Sequence, residues 1–203
     1  VERGGLDEAV PYLWQTDTAI AKNSWCYTDN LDYKTSRQII CALVETVCRN
    51  GNMLLNVGPK GDGAIPEEDE RILREIGGWL KVNGEAIYGT GVWRRQAEGS
   101  TKLPEGPFSD NDEIPYTSED IRFTSKGRMI YAIVMRWPQD GKVCIRSMAK
   151  QVGETTMFHG LIKEVRILGE ENETVSWRQD EEGLHVERRL CRDLPVAVRI
   201  EVI

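Results

Sequence analysis

Two segments in the first half of the chain repeat hydrophobic residues with the period of an α-helix. In residues 35–50 the repeating positions are Ile39, Ile40, Leu43, Val44 and Val47. In residues 66–84 they are Ile72, Leu73, Ile76, Trp79 and Leu80. Thr35 or Ser36 is suited to cap the first helix, and Gly51 offers a left-handed residue after its end. The pattern predicts two amphipathic helices.

A short apolar run, NMLLNVGP, lies between these helices over residues 52–59 and ends at a Gly-Pro pair. A run of this length is typical of a strand that is buried on both faces, as in a parallel sheet. Residues 11–84 then alternate strand, helix, strand and helix. This alternation predicts an α/β fold for the first half.

The second half changes to the two-residue alternation of β-strands. Segments such as IRFTS, KVCIRSM and PVAVRIEVI are separated by glycine and aspartate. The alternation predicts an antiparallel β-sandwich over residues 119–203. Residues 94–118 are rich in Gly, Pro, Ser, Asp and Glu, and we interpret them as a linker or surface excursion. The first predicted domain is residues 1–93.

The charge balance argues against two classes of partner. The 203 residues carry a net charge of -7, which disfavours binding to the phosphates of nucleic acid. No basic run is suited to a membrane surface, and no apolar run approaches the ~20 residues that span a bilayer. The chain starts at Val1 and opens directly into a charged segment, so we expect this start to be a cut.

Cysteine and histidine offer little for metal or nucleophilic chemistry. The five cysteines show no CxxC spacing, which argues against a disulfide framework or a zinc site. The sequence has only two histidines, His159 and His185, and both come late. A Ser–His–Asp triad or a histidine metal site is therefore not expected.

The stretch PYLWQTDTAIAKNSWCY, residues 11–27, concentrates aromatic and polar side chains. Aromatic rings pack on the apolar faces of sugars, so Trp14 and Trp25 are candidates for pocket walls, with Tyr27 beside them. Gln15 and Asp17 would supply directional hydrogen bonds. The structural alternative is that both tryptophans fill space beneath the helices. The residues alone leave both interpretations open.

The segment NVGPKGDG lacks the GK[ST] ending and the spacing of a phosphate-binding loop. We interpret it as the loop that follows the predicted strand. The amide of Asn56 is suited to anchor this loop.

The runs WQTDTAIAKNSWCY and NGNMLLNVGPKGDGAIPEEDERILREIGGWLKVNGEAIYGTGVW closely resemble the glycoside hydrolase family 29 α-L-fucosidases. The resemblance is dense over residues 11–93 and weaker in the tail. It implies that the first half is the last part of a (β/α)8-like TIM barrel, followed by the family's C-terminal β-sandwich. Active sites of such barrels lie where the strands run into the following loops.

The resemblance also implies a retaining exo-glycosidase that releases terminal α-L-fucose from fucosylated oligosaccharides or glycoconjugates. Such an enzyme needs no metal or cofactor and acts in a secreted, periplasmic or lysosomal setting. A homo-oligomer is compatible with the family. The family's Asp nucleophile is expected upstream of this chain, so the fragment alone is expected to be inactive.

The acid/base residue is where this sequence departs from the family pattern. Many members carry Trp-Glu where this chain has Trp14-Gln15, and an amide cannot donate a proton at neutral pH. Glu2 is the favoured replacement, because Arg3 beside it could orient a carboxylate or bind a sugar hydroxyl. Further acidic candidates, in order, are Asp17, Glu8 and Asp7.

Two alternatives to an active enzyme remain: a non-catalytic carbohydrate-binding or structural fragment, and a pseudoenzyme, which Gln15 would favour. All substrate-binding assignments share one requirement. Trp14 and the segment beyond Val57 must lie at the same end of the parallel strands.

Overall fold

The computed structural model describes residues 1–104, 106, 109–150, 161–170 and 172–203. Its first half contains two strands and two helices: β1 (Trp14–Ala19), α1 (Ser36–Val47), β2 (Gly51–Asn56) and α2 (Glu67–Asn83). β1 and β2 pair in parallel, with Trp14 opposite Gly51 and Ala19 opposite Asn56. The predicted alternation of strands and helices is confirmed.

The start of α1 follows the predicted capping. The Thr35 hydroxyl accepts a hydrogen bond from the backbone N–H of Gln38, and the Gln38 side chain accepts one from the Thr35 N–H. The end of α1 differs from the prediction. Asn50, with a φ of 71°, supplies the left-handed residue, and Gly51 is already the first residue of β2.

The prediction that the second strand is buried on both faces is wrong for this chain. One face of β2 packs toward α1 and α2, but Leu54 on the other face is 56% exposed. The reason is that β1 and β2 form a two-stranded sheet within the described residues, so nothing covers the face turned away from the helices.

The second half consists of antiparallel sheets. Eight strands form it: β3 (Gly91–Glu98), β4 (Ile121–Lys126), β5 (Met129–Val134), β6 (Lys142–Ile145), β7 (Ile162–Ile167), β8 (Ser176–Gln179), β9 (Leu184–Glu187) and β10 (Val196–Val202). One sheet has the order β3-β4-β5-β10-β7, and the other has the order β6-β9-β8. These sheets confirm the antiparallel prediction.

The five-stranded sheet is buried on both faces. Phe123, Ala132 and Val198 lie in a core shared with the three-stranded sheet. Tyr131 and Ile133 point the other way and lie in a second core, which contains the buried faces of α1 and α2. The alternating strand positions thus separate two cores, and the helices pack directly on the sheet.

The predicted boundary near residue 93 falls inside a strand. β3 runs from Gly91 to Glu98 and pairs with β4, so residues 94–98 belong to the five-stranded sheet and not to a linker. Charged residues on this edge strand gave it the composition of a surface segment. Among the described residues, no helix is long and apolar enough to cross a membrane.

Candidate functional site

Residues 1–3 extend the parallel pairing on the free edge of β1. The Arg3 N–H donates to the Asp17 carbonyl at 2.8 Å, and the Asp17 N–H donates to the Val1 carbonyl at 3.2 Å. Glu2 is thereby in register with Asp17. Three parallel segments therefore run side by side and share one carboxyl end.

β1 presents two different faces. Thr16 and Thr18 are buried on the face turned toward α1. Gln15 and Asp17 alternate with them and point to the opposite face. Glu2 lies on that same face, because residues in register on neighbouring strands point the same way. We call this surface, formed by Glu2, Gln15, Asp17 and Leu54, the open face.

The open face brings two predicted acid/base candidates together. Glu2 is exposed and Asp17 is half-buried, and their Cα atoms are cross-strand partners. Gln15 lies two residues earlier on β1, about 6–7 Å further from the carboxyl ends. Two neighbouring carboxyl groups on an open polar surface can exchange protons with a bound ligand.

Trp14 does not share the end of the strands at which the loops beyond Val57 lie. It pairs with Gly51 at the amino ends, and its indole Nε1–H donates to the Arg49 carbonyl at 2.8 Å. About 16 Å of strand separates it from Ala19. Parallel pairing fixes Trp14 at the opposite end, so the requirement stated for all the substrate-binding assignments is not met. Trp14 is therefore not supported as a pocket wall, and the assignments of Trp25 and Tyr27 remain predictions that have to stand without it.

Two further acid/base candidates lie away from the open face. The Asp7 carbonyl accepts hydrogen bonds from Arg49 Nε and Gln96 Nε2, each at 3.1 Å. Arg49 follows the last turn of α1, next to the amino end of β2. Asp7 and its neighbour Glu8 therefore lie on the segment that returns the chain to the amino end of β1, so their candidacy is not supported.

The loop between β1 and α1 carries the second aromatic pair to the carboxyl end. An antiparallel bridge between Ala21 and Tyr33 closes its base. Trp25 and Tyr27 lie in its outer part and are both half-buried. The Asn56 side chain donates to the Trp25 carbonyl at 2.7 Å, so Asn56 anchors this loop as well as ending β2.

Arg3 is fixed beneath this loop. Its guanidinium donates to the Lys22 carbonyl at 2.7 Å and to the Ala21 carbonyl, and its Cζ lies 4.9 Å from the centroid of the Trp25 ring. Only 5% of Arg3 is exposed. The arrangement is a cation–π contact that holds Trp25, which differs from the predicted direct contact of Arg3 with a sugar hydroxyl.

A charged pair next to Arg3 was missed by sequence analysis. Lys34 Nζ donates to Asp110 Oδ2 at 2.8 Å and to the Thr18 hydroxyl at 2.7 Å. Burial lowers the pKa of Lys34 below its ordinary value, while Asp110 opposes the shift. No local signal joins Asp110 to Lys34, since 76 residues separate them.

A cavity of about 90 Å³ lies on the other side of β1, between α1 and a group of residues that includes Leu103, Asp110 and Tyr116. Its lining includes Thr16, Thr18 and Cys41, all on the side of α1. It does not open onto Glu2 or Asp17. We therefore do not connect it with the chemistry of the open face.

Among the described residues, His185 lies away from the carboxyl ends of the parallel strands. His159 lies outside the described residues. His185 Nε2 lies 2.8 Å from Asp180 Oδ1 in the hairpin between β8 and β9, where Glu182 is also near. Asp180 is further engaged by Arg178, so this group is explained by contacts within the hairpin.

Comparison with known proteins assigns both halves. Residues 1–85 match the family described as Alpha-L-fucosidase, and residues 111–196 match the one described as Alpha-L-fucosidase C-terminal domain. The plasma alpha-L-fucosidase of Rattus norvegicus is 38% identical over 165 residues, which are 79% of this chain and 30% of that protein. The chain thus spans about a third or less of the length of such relatives.

Solved structures agree with this assignment. The alpha-L-fucosidase isoenzyme 1 from Paenibacillus thiaminolyticus superposes with a TM-score of 0.75 at 25% identity, over 100% of this chain and 44% of that one. The Thermotoga maritima alpha-fucosidase in complex with fucose gives 0.71 at 27% identity, over 97% and 41%.

Proposed function

Because the chain belongs to the α-L-fucosidase family, we propose that it forms the C-terminal part of a retaining exo-α-L-fucosidase. The reaction is hydrolysis of terminal α-L-fucose from oligosaccharides or glycoconjugates, without a metal or cofactor. The observation that carries the proposal is the Arg3–Trp25 contact at the carboxyl ends of the parallel strands, beside the open face that contains Glu2 and Asp17.

The first half is, in this proposal, the last part of a (β/α)8-like barrel. The parallel register of residues 1–3, β1 and β2 supports it, as does the packing of α1 and α2 on one face only. The open face would then line the barrel interior, where further parallel strands cover Leu54. The second domain would begin at β3 and not at residue 119.

Glu2 acts as the acid/base in this proposal, and a carboxylate outside these 203 residues acts as the nucleophile. A retaining mechanism needs two carboxyl groups roughly 5–5.5 Å apart, one on each side of the scissile bond. Glu2 is exposed on the open face and near the carboxyl ends, which a general acid requires. Asp17 is its cross-strand neighbour and the second choice for the same role.

Trp25 and Tyr27 form the apolar wall against the sugar, and Arg3 holds Trp25 in place. The half-exposed rings at the carboxyl end support this role. Gln15 lies one layer below Asp17, and the proposal gives it no substrate contact. The pseudoenzyme alternative depended on Gln15 standing at the acid/base position. Because the proposal gives the proton transfer to Glu2, an amide at residue 15 is compatible with an active enzyme.

Hydrolysis by full-length protein containing residues 1–203 tests the proposal. We expect release of 4-nitrophenol from 4-nitrophenyl α-L-fucoside and none from 4-nitrophenyl β-L-fucoside. Arg3→Lys should raise the KM for the α-L-fucoside, because a lysine ammonium stacks less well on the Trp25 ring than a guanidinium does. Residues 1–203 alone are expected to release none. A full-length protein without α-L-fucoside hydrolysis, or an active fragment, would contradict it.

A further inference from the structure

Two loops meet at the carboxyl ends of β1 and β2 and touch through their backbones. One is the loop between β1 and α1, which carries Trp25 and Tyr27. The other follows β2 and begins at Val57. The parallel ladder continues into this region, where the Ile20 N–H donates to the Asn56 carbonyl at 3.1 Å. The position of the aromatic loop therefore depends on the chain that follows β2.

Asn56 makes the first contact between the loops. Its Nδ2 donates to the Trp25 carbonyl at 2.7 Å, while its backbone remains in the ladder. A side-chain amide can donate to this carbonyl, whereas a carboxylate of the same shape cannot. The contact therefore depends on the amide nitrogen.

Gly58 makes the second contact. A Cβ atom at this position would lie 2.7 Å from the Tyr27 nitrogen and 2.9 Å from the Cys26 carbonyl carbon. Both are backbone atoms, which cannot move without moving the loop. Gly58 does not have a left-handed φ, so the close approach is the reason for a glycine here.

The two contacts reach the backbone of residues 25–27, which carry the rings of the predicted sugar-binding wall. Trp25 is held from below by Arg3, whose Cζ is 4.9 Å from its ring centroid. Lys60, two residues after Gly58, brings its Nζ to 5.7 Å from the Tyr27 ring centroid. A shift of the loop between β1 and α1 would therefore move the Trp25 and Tyr27 rings relative to the ends of the strands.

We propose that Asn56 and Gly58 are positioning residues, which hold the Trp25–Tyr27 segment at the distance from β2 that sugar binding requires. The role of the two rings as a sugar wall rests on the proposed function. The contacts themselves do not, so the two can be tested separately.

Four variants of full-length protein containing residues 1–203 make the test. Gly58→Ala removes the space for the loop, and Gly61→Ala is its control in the same loop, with nothing within 4 Å of the added atom. Asn56→Asp removes the donor while keeping the shape. Asn172→Asp is its control, because Asn172 is exposed between β7 and β8 and lies away from the parallel strands.

Steady-state kinetics with 4-nitrophenyl α-L-fucoside give the first measurement. We expect Gly58→Ala and Asn56→Asp to raise KM by ~5–10-fold with kcat changed less than ~2-fold, the pattern of lost uniform binding. The controls should retain the KM of the parent. A parent KM in both test variants, or equal increases in the controls, would overturn the positioning role.

A spectroscopic measurement decides the case even if the parent does not hydrolyse fucosides. The protein is labelled with 5-fluorotryptophan, and the Trp25 resonance is identified by its loss in Trp25→Phe. We expect this resonance to shift in Gly58→Ala and Asn56→Asp, and not in the controls. An unshifted resonance in both test variants would refute the inference, and if one variant fails to fold, the other carries the test.

Discussion

The Arg122 guanidinium of β4 donates from Nε to both carboxylate oxygens of Glu45 on α1, at 2.8 Å each. Arg49 pairs with the same carboxylate, and the Tyr116 hydroxyl donates to it at 2.9 Å. Glu45 is 8% exposed and Arg122 is 3% exposed. A buried ion network thus joins α1 to the five-stranded sheet.

Replacing Glu45 tests whether this network holds the two halves together. We expect Glu45→Gln to lower the free energy of unfolding by about 3–5 kcal/mol, because two buried guanidinium groups lose their counter-charge. Urea denaturation followed by circular dichroism gives the value. Glu75→Gln, an exposed partner of Arg71 on α2, is the control and should change stability much less.

The same carboxylate predicts an acid-dependent loss of stability. Burial alone would raise the pKa of Glu45, but the charges and hydrogen bonds of Arg122 and Arg49 outweigh it and hold the pKa below its ordinary value of 4.5. A lowered folded-state pKa stabilises the protein above the unfolded-state value. This contribution is lost as the pH falls below about 4.5.

Urea unfolding at several pH values between 7 and 3 measures this dependence. We expect the free energy of unfolding to fall below about pH 4.5, and to fall less steeply in Glu45→Gln, which has no titrating group there. Parallel pH curves for the parent and the variant would show that Glu45 is not the source.

Local signals predicted the helices well but not the site. Periodicity and the Thr35 cap located α1, because helix contacts lie within a few residues. The position of Trp14 depended on its pairing with Gly51, and the partner of Lys34 is Asp110, far along the chain. Such register and long-range contacts leave no periodic signal in a single sequence. The edge strand β3 was missed for the same reason.

Trp14 and Gly51 form a close contact that can be tested by stability. A Cβ atom on residue 51 would lie 2.5 Å from Trp14 Cε2 and 2.6 Å from Cζ2. We expect Gly51→Ala to cost about 1–3 kcal/mol of overpacking. Trp14→Phe removes the indole ring atoms that include Cζ2, while Thr46 Cγ2 remains 2.8 Å from the added atom. Part of the overpacking should then be relieved, so the double variant should be more stable than the sum of the single effects predicts. Strictly additive effects in the double-mutant cycle would contradict the contact.

The same variant tests the location of Trp14 relative to the sugar. Because Trp14 lies at the amino ends, we expect folded, full-length Trp14→Phe to keep the parent KM for 4-nitrophenyl α-L-fucoside within ~2-fold, as a residue without substrate contact should. Trp25→Ala should raise this KM. An increase in Trp14→Phe that matches Trp25→Ala would return Trp14 to the sugar pocket.

Glu2 is the residue on which the proposed chemistry depends most directly. In full-length protein, Glu2→Gln should lower kcat/KM for substrates with poor leaving groups by ~10²–10⁴-fold, the usual contribution of a general acid. Activated aryl fucosides need little protonation of the leaving oxygen, so their loss should be much smaller. Azide should restore turnover of activated substrates, because it replaces the water that Glu2 would deprotonate.

Two matched variants separate Glu2 from its alternatives. Asp17→Asn removes the cross-strand neighbour, and Glu8→Gln removes an exposed acid on the segment that returns to the amino end. We expect the dependence on the leaving group and the azide rescue only in Glu2→Gln, with Glu8→Gln retaining parent activity. If Asp17→Asn shows both effects and Glu2→Gln neither, the proton is transferred by Asp17. The half-buried Asp17 would then be the general acid/base of the open face, in place of the exposed Glu2.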